Sequence, residues 1–499
     1  MSSIISLIAS TFTVKILLLI LGGTCFGMLI GAIPGLNTTL AVAIIIPATF
    51  ALEPVEAMAL LMAVYKAGTY GGSISAILLG VPGTPASACT VKDGYALTKR
   101  GRANIALEAA LYASTFADIV SNMSLILVAS WLAKFALKFG PAENALLVVF
   151  ALVVVSMVAS PKLIKGLLAA CIGLSIAVIG MDPITAKERF TFGSINMLSG
   201  ISLIPTLVGL FAISELYVEY DKYLKGCERH DNAEKIPQSK GHLSVKRFFS
   251  YWWTLLRSSM IGVFIGALPG SGAATASYMS YSLAQSSSKD SEQFGKGSVE
   301  AICAAEAANN GVCGATMIPL LTLGIPGDSI TAIMYGALVL QGITPGPLVF
   351  TQQANLVNSI FILLFVCSLF MFVVGKISIS GLAKVLNVPQ GILFPVITVI
   401  CFAGTYAMNN SMFDVLVMVI SGVIGYFLKC FEMPVAPTLI GFILGTNMEK
   451  SILQAMVKSR NNFSIFLGSP IAIAFDLLIV GMIVFHIISL RRKKATAAK

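Results

Sequence analysis

The chain has 499 residues, of which 57% are hydrophobic and only 11% are charged, and its net charge is +10. Soluble domains carry about 25% charged residues, so this composition excludes a soluble fold. The excess of Lys and Arg fits the cytoplasmic loops of a membrane protein, and no basic module that would bind nucleic acid is visible.

Apolar stretches recur along the whole chain, and each is close to the length that crosses a bilayer, about 20 residues. They cover residues 14–33, 142–159, 166–181, 359–376 and 465–490. A transmembrane barrel is excluded, because its strands are short and alternate apolar with polar residues. The sequence therefore predicts an all-α polytopic membrane protein with about 12 transmembrane helices.

The two halves of the chain resemble each other. Four motifs of the first half return in the same order in the second: GAIPGL (31–36) as GALPGS (266–271), VEA (55–57) as VEA (299–301), LLGVPGT (78–84) as TLGIPGD (322–328), and PTLVG (205–209) as PTLIG (437–441). Such an internal duplication is typical of secondary transporters.

Charge predicts that the two repeats are inverted relative to each other. Residues 91–102 carry four Lys or Arg, whereas the matching loop 328–347 carries none. Equivalent loops with opposite bias belong on opposite sides of the membrane. We expect the first repeat in 1–220, a cytoplasmic connector in 221–250, the second repeat in 251–447, and a final helix with a basic cytoplasmic tail in 448–499.

Pro-Gly breaks interrupt the helical pattern twice in each half, at Pro34–Gly35, Pro82–Gly83, Pro269–Gly270 and Pro326–Gly327. Within hydrocarbon, the backbone groups freed by a break persist only where protein or a water-filled cavity covers them. Freed N–H groups at helix starts suit an anion, and freed carbonyls suit Na⁺. The breaks therefore predict re-entrant segments around a substrate pocket near the midplane. The alternative is that these small residues only pack helix against helix.

The predicted substrate-binding residues are the breaks themselves and the small, hydroxyl, amide and ionisable residues on the same segments. They are Pro34, Gly35, Asn37, Thr38, Lys66, Tyr70, Gly72, Ser73, Pro82, Gly83, Thr84, Pro269, Gly270, Ser271, Asn309, Asn310, Pro326, Gly327, Asp328 and Ser329. The carbonyls of Gly31, Gly80, Gly266 and Gly324 are the candidate Na⁺ ligands.

Ionisable residues inside apolar segments are costly and mark function by default. Lys66 and Glu306 stand out, because each lies in the central segment of one repeat. Lys66 suits either a substrate carboxylate or a structural ion pair. Glu56 and Glu300 occupy matching positions, which predicts a role at helix starts, where an acid suits the helix dipole.

No catalytic constellation is visible, so we expect no enzyme, although an intramembrane enzyme remains the alternative from another class. The three His residues, at 230, 242 and 486, are dispersed. The nine cysteines form no C-x-x-C pattern, and no phosphate loop is present, so no cofactor beyond a coupling ion is expected.

Three long stretches carry a resemblance to a known family: YGGSISAILLGVPGTPASACTVKDGYALTKRGRA (70–103), GAIPGLNTTLAVAIIIP (31–47) and EAANNGVCGATMIPLLTLGIPGDSITAIMYGAL (306–338). In these motifs the chain resembles the large membrane subunit of tripartite tricarboxylate transporters over nearly its whole length. It departs from the family pattern at Ala305, where Pro is expected, which would loosen a local turn.

The resemblance implies uptake of a carboxylate across the bacterial inner membrane, driven by a Na⁺ or H⁺ gradient. It also implies two partners, a periplasmic solute-binding protein that captures the substrate and a small membrane subunit. A stand-alone carboxylate symporter and a passive channel are the alternatives among transport proteins. Paired re-entrant segments favour an elevator-like motion over a rocking one.

Overall fold

A computed structural model describes residues 11–160, 162–182, 185–225, 241–270, 272–379 and 390–497, and this part of the chain is mostly helical with almost no strand. Its first half contains α1 (Val14–Ala32), α2 (Thr38–Ile45), α3 (Pro54–Leu79), α4 (Ala88–Lys99), α5 (Ala103–Ala136), α6 (Pro141–Ala159), α7 (Leu163–Ala177), α8 (Leu203–Val208) and α9 (Ser214–Leu224). The described strands are β1 (Gly180–Met181) and β2 (Glu188–Arg189), which pair antiparallel.

The second half begins with α10 (Val245–Phe249), since residues 226–240 of the predicted connector lie outside the described residues. There follow α11 (Trp252–Ala267), α12 (Gly272–Ser287), α13 (Val299–Ala315), α14 (Met317–Leu323), α15 (Ser329–Leu340), α16 (Val349–Gln352), α17 (Ala354–Ser378), α18 (Gln390–Asn409), α19 (Met412–Cys430), α20 (Val435–Lys458) and α21 (Pro470–Ala497).

Several of these helices are suited to a bilayer. Among the described residues, seven helices are long and apolar enough to cross a membrane: Val14–Ala32, Ala103–Ala136, Pro141–Ala159, Leu203–Lys222, Ala354–Ser378, Met412–Cys430 and Pro470–Ile488. Shorter apolar helices accompany them. The predicted class, an all-α polytopic membrane protein, is confirmed. The bounds and inverted orientation of the repeats stay predictions.

One compact unit, Met1–Ala133 with Ile204–Tyr426, is built around α3 and α13. Every residue from Ala57 to Leu78 of α3 is buried, and α13 is almost as enclosed. Glu56 completes the capping box at the start of α3, and Glu300 lies in the first turn of α13. The prediction that these two acids mark helix starts is confirmed.

Equivalent elements of the two halves make equivalent contacts in this unit. Helix α1 packs along α3, and α11 packs along α13. A Cβ added to Gly27 would lie 2.4 Å from the Val64 carbonyl oxygen, and one added to Gly262 would lie 2.5 Å from that of Ala308. Only glycine permits two helix backbones to approach so closely, so the duplicated small residues bring each outer helix against a central one.

The second unit, Lys134–Leu203 with Phe427–Lys499, contains α6, α7, α20 and α21. Helix α20 packs against both α6 and α7. Its Gly441, from the PTLIG motif, is so close to α7 that an added Cβ would lie 2.5 Å from the Ala170 carbonyl oxygen. In the first unit, a Cβ added to Gly209 of the PTLVG motif would lie 2.3 Å from the Met418 carbonyl oxygen. Each copy of the motif thus supplies the same kind of helix contact within its own unit.

Candidate functional site

The two breaks of the first half lie against each other. Helix α1 ends at Ala32, Gly35 turns the chain with a φ of 89°, and Asn37 caps α2 by accepting a hydrogen bond from the Leu40 N–H at 2.8 Å. At the second break the Gly83 N–H donates to the Gly72 carbonyl at 3.2 Å. A Cβ on Gly83 would lie only 2.4 Å from the Gly31 carbonyl oxygen, so this break is seated on α1 and α3 together.

The two breaks of the second half meet in the same way. Helix α14 ends at Leu323 and is capped by Gly324, whose φ is 69°. In the following segment the Gly327 carbonyl accepts a hydrogen bond from the Gly270 N–H at 2.6 Å. Asp328 then caps α15 by accepting from the Thr331 N–H at 2.7 Å. Pro269, Pro326 and Gly327 are buried.

The central helices α3 and α13 join the two pairs of breaks. Thr69 of α3 and Cys313 of α13, which are equivalent by the 244-residue offset, touch each other with the Cys313 thiol 3.6 Å from the Thr69 hydroxyl. Equivalent positions of the two central helices are thus in direct contact. On one side of this α3–α13 crossing, the Tyr65 hydroxyl donates to Asp328 Oδ2 at 2.7 Å.

On the other side of the crossing lies the buried carboxylate of Glu306. Ser73 Oγ of α3 donates to its Oε2 at 2.7 Å, and Asn309 Nδ2 donates to the same oxygen at 3.3 Å. Thr90 Oγ1, near the start of α4, donates to Oε1. Ala305, where the family pattern expects Pro, lies inside the continuous helix α13, so the expectation of a turn at that position is wrong.

Helices α4 and α15 each reach across to the other half. Asp93 of α4 is fully buried and accepts hydrogen bonds from the N–H groups of Gly295, Gly297 and Ser298 in front of α13. At the end of α15, the capping residue Gln341 donates from Nε2 to the Thr49 and Leu52 carbonyls in the segment before α3. These contacts fix the segment after each second break to the opposite repeat.

A buried ion pair forms a separate cluster towards α5 and α17. Lys66 Nζ lies 3.2 Å from Asp118 Oδ1 and donates to Asn122 Oδ1 at 3.1 Å and Ser368 Oγ at 3.0 Å. Of the two interpretations of Lys66, the structural ion pair is therefore the contact that the structure contains. A role of Lys66 in binding substrate stays a prediction.

The structure brings most of the predicted site residues to the two pairs of breaks and leaves a few elsewhere. Those at or beside the breaks and the crossing are Pro34, Gly35, Asn37, Thr38, Gly72, Ser73, Pro82, Gly83, Thr84, Pro269, Gly270, Asn309, Pro326, Gly327, Asp328 and Ser329. Tyr70 instead points to the Leu107 carbonyl of α5, and Asn310 Nδ2 contacts the Met371 sulfur of α17. Ser271 lies outside the described residues.

The four glycine carbonyls proposed for Na⁺ have different surroundings. Gly31 faces Gly68, Gly80 packs on the Tyr95 ring, and Gly266 faces Val312. Gly324 instead lies beside Pro345. These contacts describe the packing at the α-carbons and do not test the carbonyls as one set of ligands, so the assignment stays a prediction.

Sequence reasoning missed Tyr65, Thr69, Thr90 and Cys313. The duplication offset pairs Thr69 with Cys313 and could have indicated that they meet. No signal in the sequence distinguishes Tyr65 or Thr90 from neighbouring polar residues, because the helix face that each presents depends on how α3 and α4 pack.

The paired breaks are suited to binding a small ion rather than to catalysing a reaction. The first N–H groups of a helix have no partner within that helix and carry partial positive charge. At the first-half breaks they are accompanied by neutral hydroxyl and amide groups, from Asn37, Thr38 and Thr84. Among the described residues, no three His, Cys, Asp or Glu side chains cluster as a metal centre would require.

Comparison with known proteins shows the family of the chain. A family model described as the tripartite tricarboxylate transporter TctA family matches residues 17–440. The chain is 35% identical over 470 residues to an uncharacterized 52.8 kDa protein in the TAR-I ttuC' 3' region of Agrobacterium vitis, covering 92% of this chain and 90% of the relative. It is also 38% identical over 234 residues to an uncharacterized protein in the TAR-II ttuC' 3' region of that organism, covering 47% of this chain and 97% of the relative. No solved structure matches the chain.

Proposed function

Because the chain belongs to the tripartite tricarboxylate transporter TctA family, we propose that it takes up citrate-like tricarboxylates or related carboxylates by secondary active transport. A Na⁺ or H⁺ gradient supplies the energy. A periplasmic solute-binding protein delivers the substrate, and a small membrane subunit completes the transporter in the bacterial inner membrane.

The observation that carries this proposal is the convergence of the four Pro-Gly breaks on the α3–α13 crossing. Gly83 touches both α1 and α3, and the Gly270 N–H bonds to the Gly327 carbonyl. Irregular backbone at membrane depth is tolerated where it lines a cavity, and such breaks at a repeat interface are typical of transporter binding sites. Surface turns would not need to meet in this way.

Charge favours the first-half breaks as the place for the substrate carboxylates. Asn37, Thr38 and Thr84 are neutral and can donate hydrogen bonds, whereas the second-half break carries the acid Asp328. A carboxylate placed beside Asp328 would be repelled. At the first-half breaks the start of α4 adds the favourable end of a helix dipole.

Reconstitution tests the proposal. Proteoliposomes that contain this chain, the small membrane subunit and the binding protein should accumulate labelled citrate or a related carboxylate against its gradient when an inward Na⁺ or H⁺ gradient is imposed. Collapse of the gradient with an ionophore should abolish accumulation, which separates transport from a passive channel. Failure to accumulate any carboxylate under both gradients would refute the proposal.

Two controls test the parts of the proposal separately. Omission of the binding protein or of the small subunit should abolish uptake, whereas full uptake by the chain alone would identify a stand-alone symporter. Reporters fused to the C-terminus should be active only on the cytoplasmic side. An active periplasmic reporter at that end would contradict the proposed orientation.

A further inference from the structure

Glu306 is a fully buried acid of the first unit, on the almost wholly enclosed helix α13. Its side chain is 0% exposed, and its hydrogen-bond partners are Ser73, Thr90 and Asn309. These three side chains come from α3, α4 and α13. Three separate helices therefore converge on one carboxylate.

Two other buried acids of this unit have a positively charged partner, which Glu306 lacks, and a third accepts hydrogen bonds from the backbone. Asp118 is paired with Lys66, Glu108 is paired with Lys376, and Asp93 accepts from three backbone N–H groups. Within the described part of the chain, no Lys, Arg or His forms an ion pair with Glu306. A buried carboxylate without a countercharge is strongly unfavourable, so either a proton or a bound cation must neutralise it.

The atoms around Glu306 are the kind that bind a hard cation. Each carboxylate oxygen of Glu306 accepts a hydrogen bond from one hydroxyl, Oε2 from Ser73 and Oε1 from Thr90. Asn309 is 1% exposed, its amide contacts the carboxylate, and its Oδ1 has no hydrogen-bond partner. Rotation of this amide about its Cβ–Cγ bond exchanges Nδ2 for Oδ1 beside the carboxylate and the two hydroxyls. The rotated amide completes an all-oxygen set, which is what hard cations prefer.

We propose that Glu306, Ser73, Thr90 and Asn309 form the Na⁺ site that couples the proposed uptake to the sodium gradient. This inference rests on the proposed transport function and replaces the glycine carbonyls as the ligands. Glu306 neutralises the charge of Na⁺, and the two hydroxyls and the amide oxygen share its coordination. The hydroxyl protons that now point at the carboxylate turn away without leaving their oxygens.

The position of this site explains how Na⁺ binding and substrate binding depend on each other. Ser73 follows Gly72, whose carbonyl accepts a hydrogen bond from Gly83 at the second break of the first half. Thr90 lies in the first turn of α4. Without Na⁺, the charge of Glu306 repels a carboxylate at the first-half breaks; with Na⁺ bound, that repulsion is removed. Because such coupling is reciprocal, the substrate should also raise the affinity for Na⁺.

The duplication indicates that the site exists once. By the 244-residue offset, Glu306, Ser73 and Thr90 correspond to Met62, Met317 and Met334, and all three methionines are buried. The second copy of the fold therefore packs the same positions with apolar side chains. Folding of the repeat does not require the polar cluster, which supports a role in binding.

Binding of Na⁺ alone provides a direct test. The full chain in nanodiscs is titrated with radioactive Na⁺ in choline buffer, without substrate, and saturable binding is expected. Glu306→Gln should abolish it, and Ser73→Ala and Thr90→Val should each raise the half-saturating Na⁺ concentration about tenfold or more. Thr90→Val keeps the shape of the side chain, so it tests the site independently if Glu306→Gln fails to fold.

Glu300→Gln is the matched control. It makes the same change on the same helix, to an acid that also accepts from two hydroxyls, those of Thr254 at 2.6 Å and Ser288 at 2.7 Å. It should leave Na⁺ binding unchanged. An equal loss of Na⁺ binding in Glu300→Gln would mean that the effect is structural and would overturn the assignment.

The outcomes separate this inference from the transport proposal. Sodium-driven uptake that persists in Glu306→Gln would overturn the site and leave the transport function standing. Saturable Na⁺ binding that is lost in Glu306→Gln, in a chain that moves no carboxylate, would support the site and refute the transport function. A wild-type chain that binds no Na⁺ and works only on a proton gradient would also overturn the site.

Discussion

Substitution of Gly83 by alanine probes the contact between the first-half breaks. A Cβ at this position would lie 2.4 Å from the Gly31 carbonyl oxygen, where 3.4 Å is the start of ordinary contact, so the break must shift by 1.0 Å. Overpacking of this kind costs about 1–3 kcal/mol. Loss of the bond from the Gly83 N–H to the Gly72 carbonyl adds about 1 kcal/mol.

The total cost of about 2–4 kcal/mol corresponds to a decrease of about 30- to 900-fold in the population of the intact break. We therefore expect Gly83→Ala to lower the initial rate of carboxylate uptake at least about 30-fold, with membrane insertion unchanged. Initial rates in proteoliposomes, normalised to the reconstituted protein, measure this effect. Gly22→Ala on α1 is the control, because a Cβ there meets no atom within 4 Å. Wild-type uptake by Gly83→Ala would refute the proposed role of the close-packed break.

Three further substitutions test the surrounding contacts. Lys66→Met should lower the free energy of unfolding by about 3–5 kcal/mol, because it leaves the Asp118 carboxylate buried without its partner; thermal unfolding should show that Asp118→Leu in the same chain restores part of the loss. Asp93→Ala should cost about 3 kcal/mol or more, since three backbone N–H groups lose their acceptor, and an unchanged melting temperature would contradict this. Tyr65→Phe removes a hydrogen bond to the Asp328 carboxylate that is worth about 1.5–3 kcal/mol, so uptake should fall while the yield of folded protein, measured by gel filtration, stays the same.

The breaks were predictable from the sequence because they depend on local properties. Proline and glycine are poor helix formers wherever they occur, and their repetition in the second half excludes chance. Gly35, Gly80 and Gly324 adopt positive φ, a conformation that glycine tolerates best. The starts of α3 and α13 were predictable for the same reason, since Glu56 and Glu300 lie in the first turns of these helices, where an acid suits the helix dipole.

Contacts between distant segments were not predictable in this way. Helix α3 is buried on all sides, so no apolar stripe shows which face meets α5 and which meets α13. For that reason the sequence left Lys66 open between two roles and grouped Tyr70 with the substrate site. The pairing of Lys66 with Asp118, 52 positions along the chain, follows from packing alone.

Accumulation of labelled citrate by the three-subunit proteoliposomes, compared between wild type, Gly83→Leu and Gly327→Leu, tests the central claim most directly. We predict that the wild type concentrates the substrate under an inward ion gradient. Both variants should insert in the membrane and fail to accumulate the substrate. Even a Cβ would lie 2.4 Å from Gly31 when added at Gly83, and 2.8 Å from Thr316 when added at Gly327. Undiminished accumulation in both variants would place the transport pathway away from the paired breaks and contradict the account.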